Sequence, residues 1–311
     1  MASAPIHIIR LSNDNMKDAH LLYKEVLRGE LSFESFSKKY DTVYTGVNHC
    51  AHIAYAGNKP IGFYGIVPSY FLHKGKKYLG AEACDFATVK EFRGQAINAK
   101  IATQCYEVLK EYDCHFVFGL HSFASYTASK KMHWIEVKRK LFLFRFAVNT
   151  FPFVQYMHKL NVFGNADARF KTVFAQYIIE RNSFTNLLNS DDGVSALYDE
   201  GFLQYKTFSP NYVIEILGVK FWVKMRSFLE IGAVYYKREE DFHNALKHLI
   251  QLAKKIYVKE IIINASEGTS LYSALIKLTT PQPSWPAGYL NFRNEMDAAE
   301  LVFNSADFDT Y

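Results

Sequence analysis

The sequence has little of several features that mark specialised classes of protein. Cysteine occurs only four times, at positions 50, 84, 105 and 114, without the CxxC or CxxH spacing of a zinc site. Because their neighbours are apolar, we interpret the thiols as reduced core residues. The opening segment, MASAPIHIIRLSND, lacks the basic-then-apolar order of a signal peptide. These observations together predict a cytoplasmic protein without a bound metal.

Charge of one sign and long apolar runs are equally scarce. The excess of 36 Lys and Arg over 31 Asp and Glu gives a net charge of only +5, which argues against a nucleic-acid partner. One apolar stretch, residues 141–157, is interrupted by Arg145, Asn149, Pro152 and Gln155. It is too short and too polar for a membrane span, so we expect it to pack between domains. The oligomeric state has no signature in the sequence.

Apolar residues, by contrast, are abundant enough for two cores. Hydrophobic residues make up 49% of the 311 residues and aromatic residues 16%, and a chain of this length usually forms two domains of about 150 residues. The order of predicted elements divides the chain into a domain at 1–146, a linker at 147–165 and a domain at 166–311. We predict an α+β fold in which each domain is a mixed, mostly antiparallel sheet flanked by helices.

The predicted elements of the first half are a strand, two helices, three strands, a helix, a strand, a helix and a strand. Gly57-Asn58 and Lys74-Gly75 indicate the two hairpins. In the second half we predict strands at 170–180, 212–217, 221–223, 228–236 and 259–264. Helices are predicted there at 192–204, 239–254 and 268–278. The second half thus repeats the element order of the end of the first.

One stretch, residues 78–112, joins a strand-like run to a helix through a charged turn that contains Arg93-Gly94. In the helix Ile97, Ile101 and Cys105 recur at a spacing of four, which is typical of one buried face. The turn leaves backbone N–H groups unpaired at the positive end of the helix dipole. Such a turn is suited to a phosphate group.

Two motifs in the first half carry a family resemblance. The first is Asp85-Phe86-Ala87-Thr88-Val89-Lys90-Glu91-Phe92-Arg93-Gly94-Gln95-Ala96-Ile97, and the second is Ser122-Phe123-Ala124-Ser125-Tyr126-Thr127-Ala128-Ser129-Lys130-Lys131-Met132-His133-Trp134. With the element order, they resemble the Gcn5-related N-acetyltransferase (GNAT) family, which transfers acetyl from acetyl-coenzyme A to an amine. The first motif is similar to that family's strand and pyrophosphate loop, Arg/Gln-x-x-Gly-x-Gly/Ala. The second is similar to its Asn-x-x-Ala-x-x-x-Tyr-x-x-x-Gly-Phe ending.

The resemblance implies acetyl-CoA as the cofactor and a small-molecule amine as the acceptor. Pantetheine would lie along the strand, and the loop would hold the pyrophosphate, with a backbone N–H near Thr88 as the oxyanion donor. The cofactor-binding residues so implied are Phe86, Ala87, Thr88, Val89, Glu91, Phe92, Arg93, Gly94, Gln95, Ala96, Ile97, Asn98, Ser122, Ser125 and Ser129. Ala96 stands where the family usually has glycine, and Ser129 where it often has a general-acid tyrosine.

For the catalytic base the first candidate is Asp85, whose apolar neighbours would raise its pKa by desolvation. A paired structural aspartate at a strand bulge is an equally good reading. Glu82 is the second candidate, but strand alternation puts it on the opposite face unless a bulge intervenes. His121 is a candidate for proton transfer, against a satisfied loop histidine. Tyr126 is a candidate general acid, against a core or rim tyrosine.

The second half is predicted to be a degenerate copy. It has no Arg-Gly turn before its long helix, and Glu239 and Glu240 lie where a phosphate would bind. The whole chain resembles bacterial tandem-GNAT proteins that end in a segment such as residues 305–311. We favour a solvated acidic tail for this segment over one that reaches the acceptor cleft through Asp307 and Asp309.

The function expected from these observations is acetyl transfer from acetyl-CoA to an amine by direct attack, with an amino sugar as one candidate acceptor. Two alternatives stay open. A non-catalytic acyl-CoA-binding sensor would need the cofactor loop but no base. A Fem-type aminoacyl transferase also pairs two such domains, but it would need a basic surface for tRNA.

Overall fold

The computed structural model of the chain describes residues 5–149, 156–157, 160, 165–188 and 193–311. The structure confirms the predicted α+β class, because it contains two mixed sheets with helices packed against them. Within the described part of the chain, no helix has both the length and the apolarity needed to cross a bilayer.

The strands are β1 Ile6–Arg10, β2 His52–Ala56, β3 Lys59–His73, β4 Lys76–Thr88, β5 Phe116–Leu120, β6 Ile135–Glu136, β7 Leu141–Ala147, β8 Ile178–Ile179, β9 Ser195–Ala196, β10 Tyr212–Ile216, β11 Val219–Met225, β12 Leu229–Tyr235, β13 Glu260–Ser266, β14 Gln282–Pro283 and β15 Ala287–Asn291. The α-helices are α1 Met16–Leu27, α2 Phe33–Tyr40, α3 Ile97–Glu111, α4 Phe123–Lys131, α5 Ala166–Phe174, α6 Glu200–Tyr205, α7 Glu239–Lys254 and α8 Ser270–Leu275.

The first unit comprises residues 1–137 together with 286–299. Its sheet has the order β1-β2-β3-β4-β5-β15-β6, in which only the β4–β5 pair on this path is parallel. A parallel neighbour requires a crossover, and α3 supplies it. The predicted face of α3, with Ile97, Ile101 and Cys105, is buried against the sheet together with Ala102 and Leu109.

The second unit comprises residues 138–285 together with 300–311. Its sheet has the order β14-β7-β13-β12-β11-β10-β8, and here β12 and β13 form the parallel pair. The crossover helix α7 has the predicted bounds, and Phe242, Leu246 and Leu249 on one of its faces are fully buried. The two units therefore share a plan, as the repeated element order predicts.

The division of the chain is not sequential, and it differs from the predicted boundaries. Residues 141–147, which we predicted as the end of the first domain, form β7 and pair with β13 in the second sheet. In turn β15, from the predicted second domain, pairs with β5 in the first sheet. The run at 135–146 is thus two strands in different sheets. Most of the predicted linker at 147–165, and most of the apolar stretch beyond Asn149, lies outside the described residues.

Two elements were predicted wrongly. The run at 170–180 is mostly helix, because Asn165 caps α5 by accepting hydrogen bonds from the N–H groups of Asp167 and Ala168. Phe170 and Phe174 then stack at a helical spacing of four, with ring centroids 4.5 Å apart. The helix predicted at 192–204 begins only at Glu200, after the cap residue Asp199.

The final segment, residues 300–311, is buried in the second unit and is not a solvated tail. The Asp307 carboxylate accepts hydrogen bonds from the Tyr198 hydroxyl (2.6 Å) and the Asn304 N–H (2.6 Å). Burial raises the pKa of Asp307 to about 6. The Tyr311 ring is fully buried and packs edge-on against Trp222.

Candidate active site

The turn before α3 presents a row of unpaired backbone donors. Gly94 has φ +80° and Ala96 has φ +56°, so both lie in the left-handed region. Among the residues that the structure describes, the N–H groups of Gly94 to Ala99 have no hydrogen-bond acceptor. Six consecutive donors at a helix N-terminus form an anion-binding site. At Ala96 the left-handed conformation costs roughly 1–2 kcal/mol that a glycine would not incur.

Side chains of the loop donate hydrogen bonds to nearby backbone carbonyls. Arg93 Nε donates to the Thr88 carbonyl (3.1 Å), and Gln95 Nε2 donates to the Glu91 carbonyl (3.4 Å). The Thr88 hydroxyl donates to Asn98 Oδ1 (2.7 Å), which ties the first turn of α3 to the end of β4. The Asn98 side chain is therefore held by Thr88.

Strand β4 separates from β5 directly ahead of this loop. The parallel pairing runs only from Gly80–Phe116 to Glu82–Phe118, whereas β4 continues to Thr88. From Ala83 onward the edge of β4 that faces β5 has no strand partner among the described residues. An edge of this kind can pair with an extended ligand as though it were another strand.

Only part of the expected β4 backbone is available to such a ligand. The Val89 N–H donates to the Ile61 carbonyl (2.9 Å), so it is not free for the cofactor. Because successive residues of a strand point their backbone groups to opposite edges, Ala87 also bonds toward β3 and Thr88 toward the open edge. The Phe86 ring stacks on Tyr64 at 4.5 Å. Thr88 is thus the best placed of the expected backbone ligands.

A bulge in β4 decides where Asp85 lies. The register shifts between Gly65–Cys84 and Phe63–Ala87, and Asp85 has φ +51°. Consequently the Tyr40 hydroxyl reaches both Cys84 Sγ (3.8 Å) and Asp85 Oδ2 (2.7 Å), although adjacent residues of a regular strand face opposite ways.

The bulge therefore places Glu82 and Asp85 on one face of the sheet. Glu82 shares its face with Cys84 by strand alternation, and Cys84 and Asp85 meet the same tyrosine. Glu82 itself is buried, with 4% of its surface exposed. Both predicted carboxylates thus lie on the sheet face that Tyr40 of α2 contacts.

Asp85 is an ion-paired carboxylate. Lys39 Nζ lies 2.5 Å from Asp85 Oδ2, and the two side chains are 3% and 13% exposed. An opposite charge at this distance stabilises the ionised form, which counters the desolvation on which the prediction was based. Removing one member of such a pair is strongly destabilising, by roughly 3–5 kcal/mol.

His121 lies at the end of β5, where β4 and β5 have separated, and is 1% exposed. Its Nδ1 is 3.2 Å from Ser129 Oγ, and that hydroxyl can donate onward to the Ser125 carbonyl (2.9 Å). Because the Ser129 hydroxyl donates to the Ser125 carbonyl, we assign the imidazole proton of His121 to Nδ1, which leaves a lone pair on Nε2. Within the described residues Nε2 has no hydrogen-bond partner. Desolvation lowers the pKa of His121 to about 4.

The hydroxyl groups of α4 bond within the protein. Ser122 caps the helix by accepting from the Ser125 N–H, and Ser129 bonds to His121. The Tyr126 hydroxyl donates to Glu136 Oε2 (2.7 Å). In this arrangement the phenolic proton that we expected to protonate a leaving thiolate is held by a carboxylate.

Three residues near these groups were not predicted: Lys39, Tyr40 and Gly288. The spacing of Phe36 and Tyr40 marks the buried face of α2, and Lys39 on the adjacent position is a signal that could have been noticed. Gly288 has no sequence signal of this kind. A Cβ there would lie 2.6 Å from His121 Nε2, so the close approach of β15 to His121 requires glycine.

In the second unit, too, one strand edge is left without a strand partner among the described residues, and side chains of residues 305–311 occupy the opening. The β12–β13 pairing covers only Leu229–Ile231, and Gly232 is an extra residue relative to β11. The Tyr311 ring lies where a Gly232 side chain would be, with Cζ 2.2 Å from an ideal Cβ. Asn264 Nδ2 donates to Ser305 Oγ (2.8 Å), so residues 305–311 lie along this opening.

A model of the acetyltransferase (GNAT) family matches residues 15–133, which contain the open β4 edge, the donor-rich loop and α4. This part of the chain is a GNAT-family domain. Its general activity is therefore acyl transfer from an acyl-CoA. No curated protein matches the sequence.

Solved structures match nearly the whole chain. The GCN5-related N-acetyltransferase of Kribbella flavida has a TM-score of 0.61 at 10% identity, over 93% of this chain and 71% of that one. A probable N-acyltransferase of unknown function from Enterococcus faecalis V583 has a TM-score of 0.61 at 13% identity, over 92% and 72%. Saccharomyces cerevisiae N-myristoyltransferase with bound myristoyl-CoA has a TM-score of 0.56 at 10% identity, over 95% and 80%. Likeness at these identities shows the tandem fold alone.

Proposed function

We propose that the chain is an acetyl-CoA-dependent N-acetyltransferase that acts on a small amine by direct attack on the thioester. The observation that carries the proposal is the row of six unpaired N–H groups from Gly94 to Ala99 at the start of α3. It directly follows the open edge of β4. An amino sugar is one acceptor of this class, and the site residues below belong to the same proposal.

Residues 91–98 would hold the coenzyme pyrophosphate, and the open edge near Thr88 would hold pantetheine. A loop of backbone donors with the positive end of α3 behind it compensates phosphate charge without a metal-binding cluster. The Thr88 N–H, which points toward the open edge by ladder alternation, is the proposed oxyanion donor.

We keep Asp85 as the proposed base and place Glu82 second. Asp85 stays close to the open edge because of the bulge, and Lys39 favours its ionised form, which can accept a proton but binds it weakly. His121 is the third candidate: desolvation lowers its pKa to about 4, so it too is a weak base at neutral pH. Tyr126 would act as the acid only after leaving Glu136.

Calorimetry with acetyl-CoA and the variant Asn98→Asp tests the cofactor site. The substitution keeps the acceptor for Thr88 and adds one negative charge at the start of α3. That charge favours the helix but repels phosphate, so we expect acetyl-CoA affinity to fall about tenfold or more while the fold is kept.

The matched control is Asn244→Asp, which adds the same charge at an exposed position of α7. It should leave acetyl-CoA affinity unchanged. No binding of acetyl-CoA by the unmodified chain would remove the central claim. Binding without thiol release on any amine of a broad panel would instead favour an acyl-CoA sensor.

A further inference from the structure

The second unit contains a cavity of about 550 Å³ on the face of its sheet opposite α7. Three side chains from adjacent strands form its floor in register: Arg145 of β7, Ile262 of β13 and Glu230 of β12. Their neighbours Ile261 and Ile263 point the other way, into the core beneath α7. The floor of the cavity is thus formed by side chains of three hydrogen-bonded strands.

Two arginines line this cavity, and each uses only part of its hydrogen-bond donors within the protein. Arg145 donates from Nη1 to Glu260 (2.8 Å) and from Nε to Gln282 (3.2 Å). Arg226 donates from Nε to Glu230 (3.0 Å) and from Nη2 to the Thr310 carbonyl (2.5 Å). The remaining terminal nitrogen of each guanidinium has no acceptor among the residues that the structure describes.

The other polar groups of the cavity add donors and few acceptors. The amide nitrogen of Gln282 and the indole nitrogen of Trp285 have no acceptor in the described part of the chain. The side-chain acceptors of the cavity take part in hydrogen bonds within the protein: Gln282 Oε1 accepts from Arg145, Asn264 Oδ1 accepts from Ser284 (3.1 Å), and the Glu230 carboxylate is ion-paired with Arg226 (3.0 Å). A cavity rich in free donors matches a ligand rich in acceptors, of which a carboxylate is the planar, bidentate case.

Part of the cavity lining is apolar. Leu143, Phe228 and Ile262 line it, and the Trp285 indole beside them is 60% exposed. An exposed indole next to an arginine is a surface on which a flat ring can stack.

From these observations we propose that the cavity binds a small organic carboxylate whose ring or other apolar body packs against Trp285. Arg145 and Arg226 bind the carboxylate, and the site does not depend on acyl transfer in the first unit.

Intrinsic fluorescence with benzoate as the probe tests the proposal on the full chain. The other two tryptophans, Trp134 and Trp222, are buried, so Trp285 reports on the cavity. We expect benzoate to change the emission saturably, and the neutral analogue benzamide to bind at least about tenfold more weakly. Trp285→Phe should abolish the signal.

Single-residue variants test which side chains bind benzoate. Arg145→Gln should weaken benzoate binding about tenfold, whereas Arg238→Gln, which removes an exposed arginine of the same unit, should not. If Arg145→Gln does not fold, Gln282→Leu removes a donor without removing a charge and should still weaken binding. Equal affinities for benzoate and benzamide, or no saturable change below about 10 mM benzoate, would overturn the proposal. Inorganic phosphate binding as tightly as benzoate would overturn the role of the apolar wall.

Discussion

At the scale of single residues, the pair of Asp85 and Lys39 allows the catalytic role of a carboxylate to be separated from its structural one. A base that takes the amine proton contributes roughly 10²–10⁴ in rate. We therefore expect Asp85→Asn to lower kcat at least about hundredfold while the affinity for acetyl-CoA stays within about threefold. Turnover by thiol release and affinity by calorimetry give the two quantities.

The control for this prediction replaces the other member of the same ion pair, Lys39. Lys39→Met removes the ammonium and leaves the carboxylate. If Asp85 acts only by holding α2 against the bulge, both variants lose activity equally. A much smaller loss in Lys39→Met than in Asp85→Asn supports the base. Undiminished turnover in Asp85→Asn removes Asp85 from the mechanism and leaves Glu82 and His121.

A second residue-scale prediction concerns acid stability. The pKa of His121 is lowered to about 4 by burial, against an ordinary value of 6.5. Between these values the unfolded chain binds a proton that the folded chain does not, so the contribution of His121 to stability falls as pH falls through this window. Relative to His121→Gln, the unmodified protein should lose about 2 kcal/mol between pH 7 and pH 5.

Urea unfolding at the two pH values measures this difference. His52, whose pKa burial also lowers to about 4, should behave like His121 when it is replaced. Parallel pH profiles for the unmodified chain and His121→Gln would contradict the buried, neutral imidazole.

At the scale of elements, the sequence predicted helices and turns whose formation depends on residues close together in the chain. The helix at 239–254 was predicted with its observed bounds because its apolar spacing and its acidic first turn agree. The turn at Gly94 was predicted as an anion site because glycine and the helix start lie together in sequence. The helix at 166–174 was missed because an aromatic run fits a strand as well as a helix, and only the Asn165 cap distinguishes them.

Long-range features of the site had no local signal. The ion pair of Lys39 with Asp85 joins residues 46 positions apart, and it depends on a bulge that no composition rule marks. The approach of Gly288 to His121 depends on which strand pairs with β5, and the nearest candidate in sequence, residues 141–147, pairs elsewhere. Sequence reasoning therefore predicted the donor-rich turn at Gly94 but not the environment of the proposed base.

At the scale of the whole molecule, the two units share a fold and differ in what lies along the open strand. In the first unit the open edge leads into free N–H groups, whereas in the second unit Ser305 and Tyr311 lie along the equivalent opening. The second crossover helix also begins with Glu239, Glu240 and Asp241, whose charges repel phosphate. Among the residues that the structure describes, the tandem fold therefore has one site with the features of a coenzyme site.

We accordingly expect one molecule of acetyl-CoA to bind per chain. The pyrophosphate needs unpaired donors and the pantetheine needs an open strand edge, and only the first unit offers both among the described residues. Calorimetry should give a stoichiometry of one for the unmodified chain and for Asn244→Asp, and Asn98→Asp should weaken that single isotherm without revealing a second. Two equivalents per chain would show that residues 305–311 leave the second opening, and the assignment of the second unit as degenerate would then be wrong.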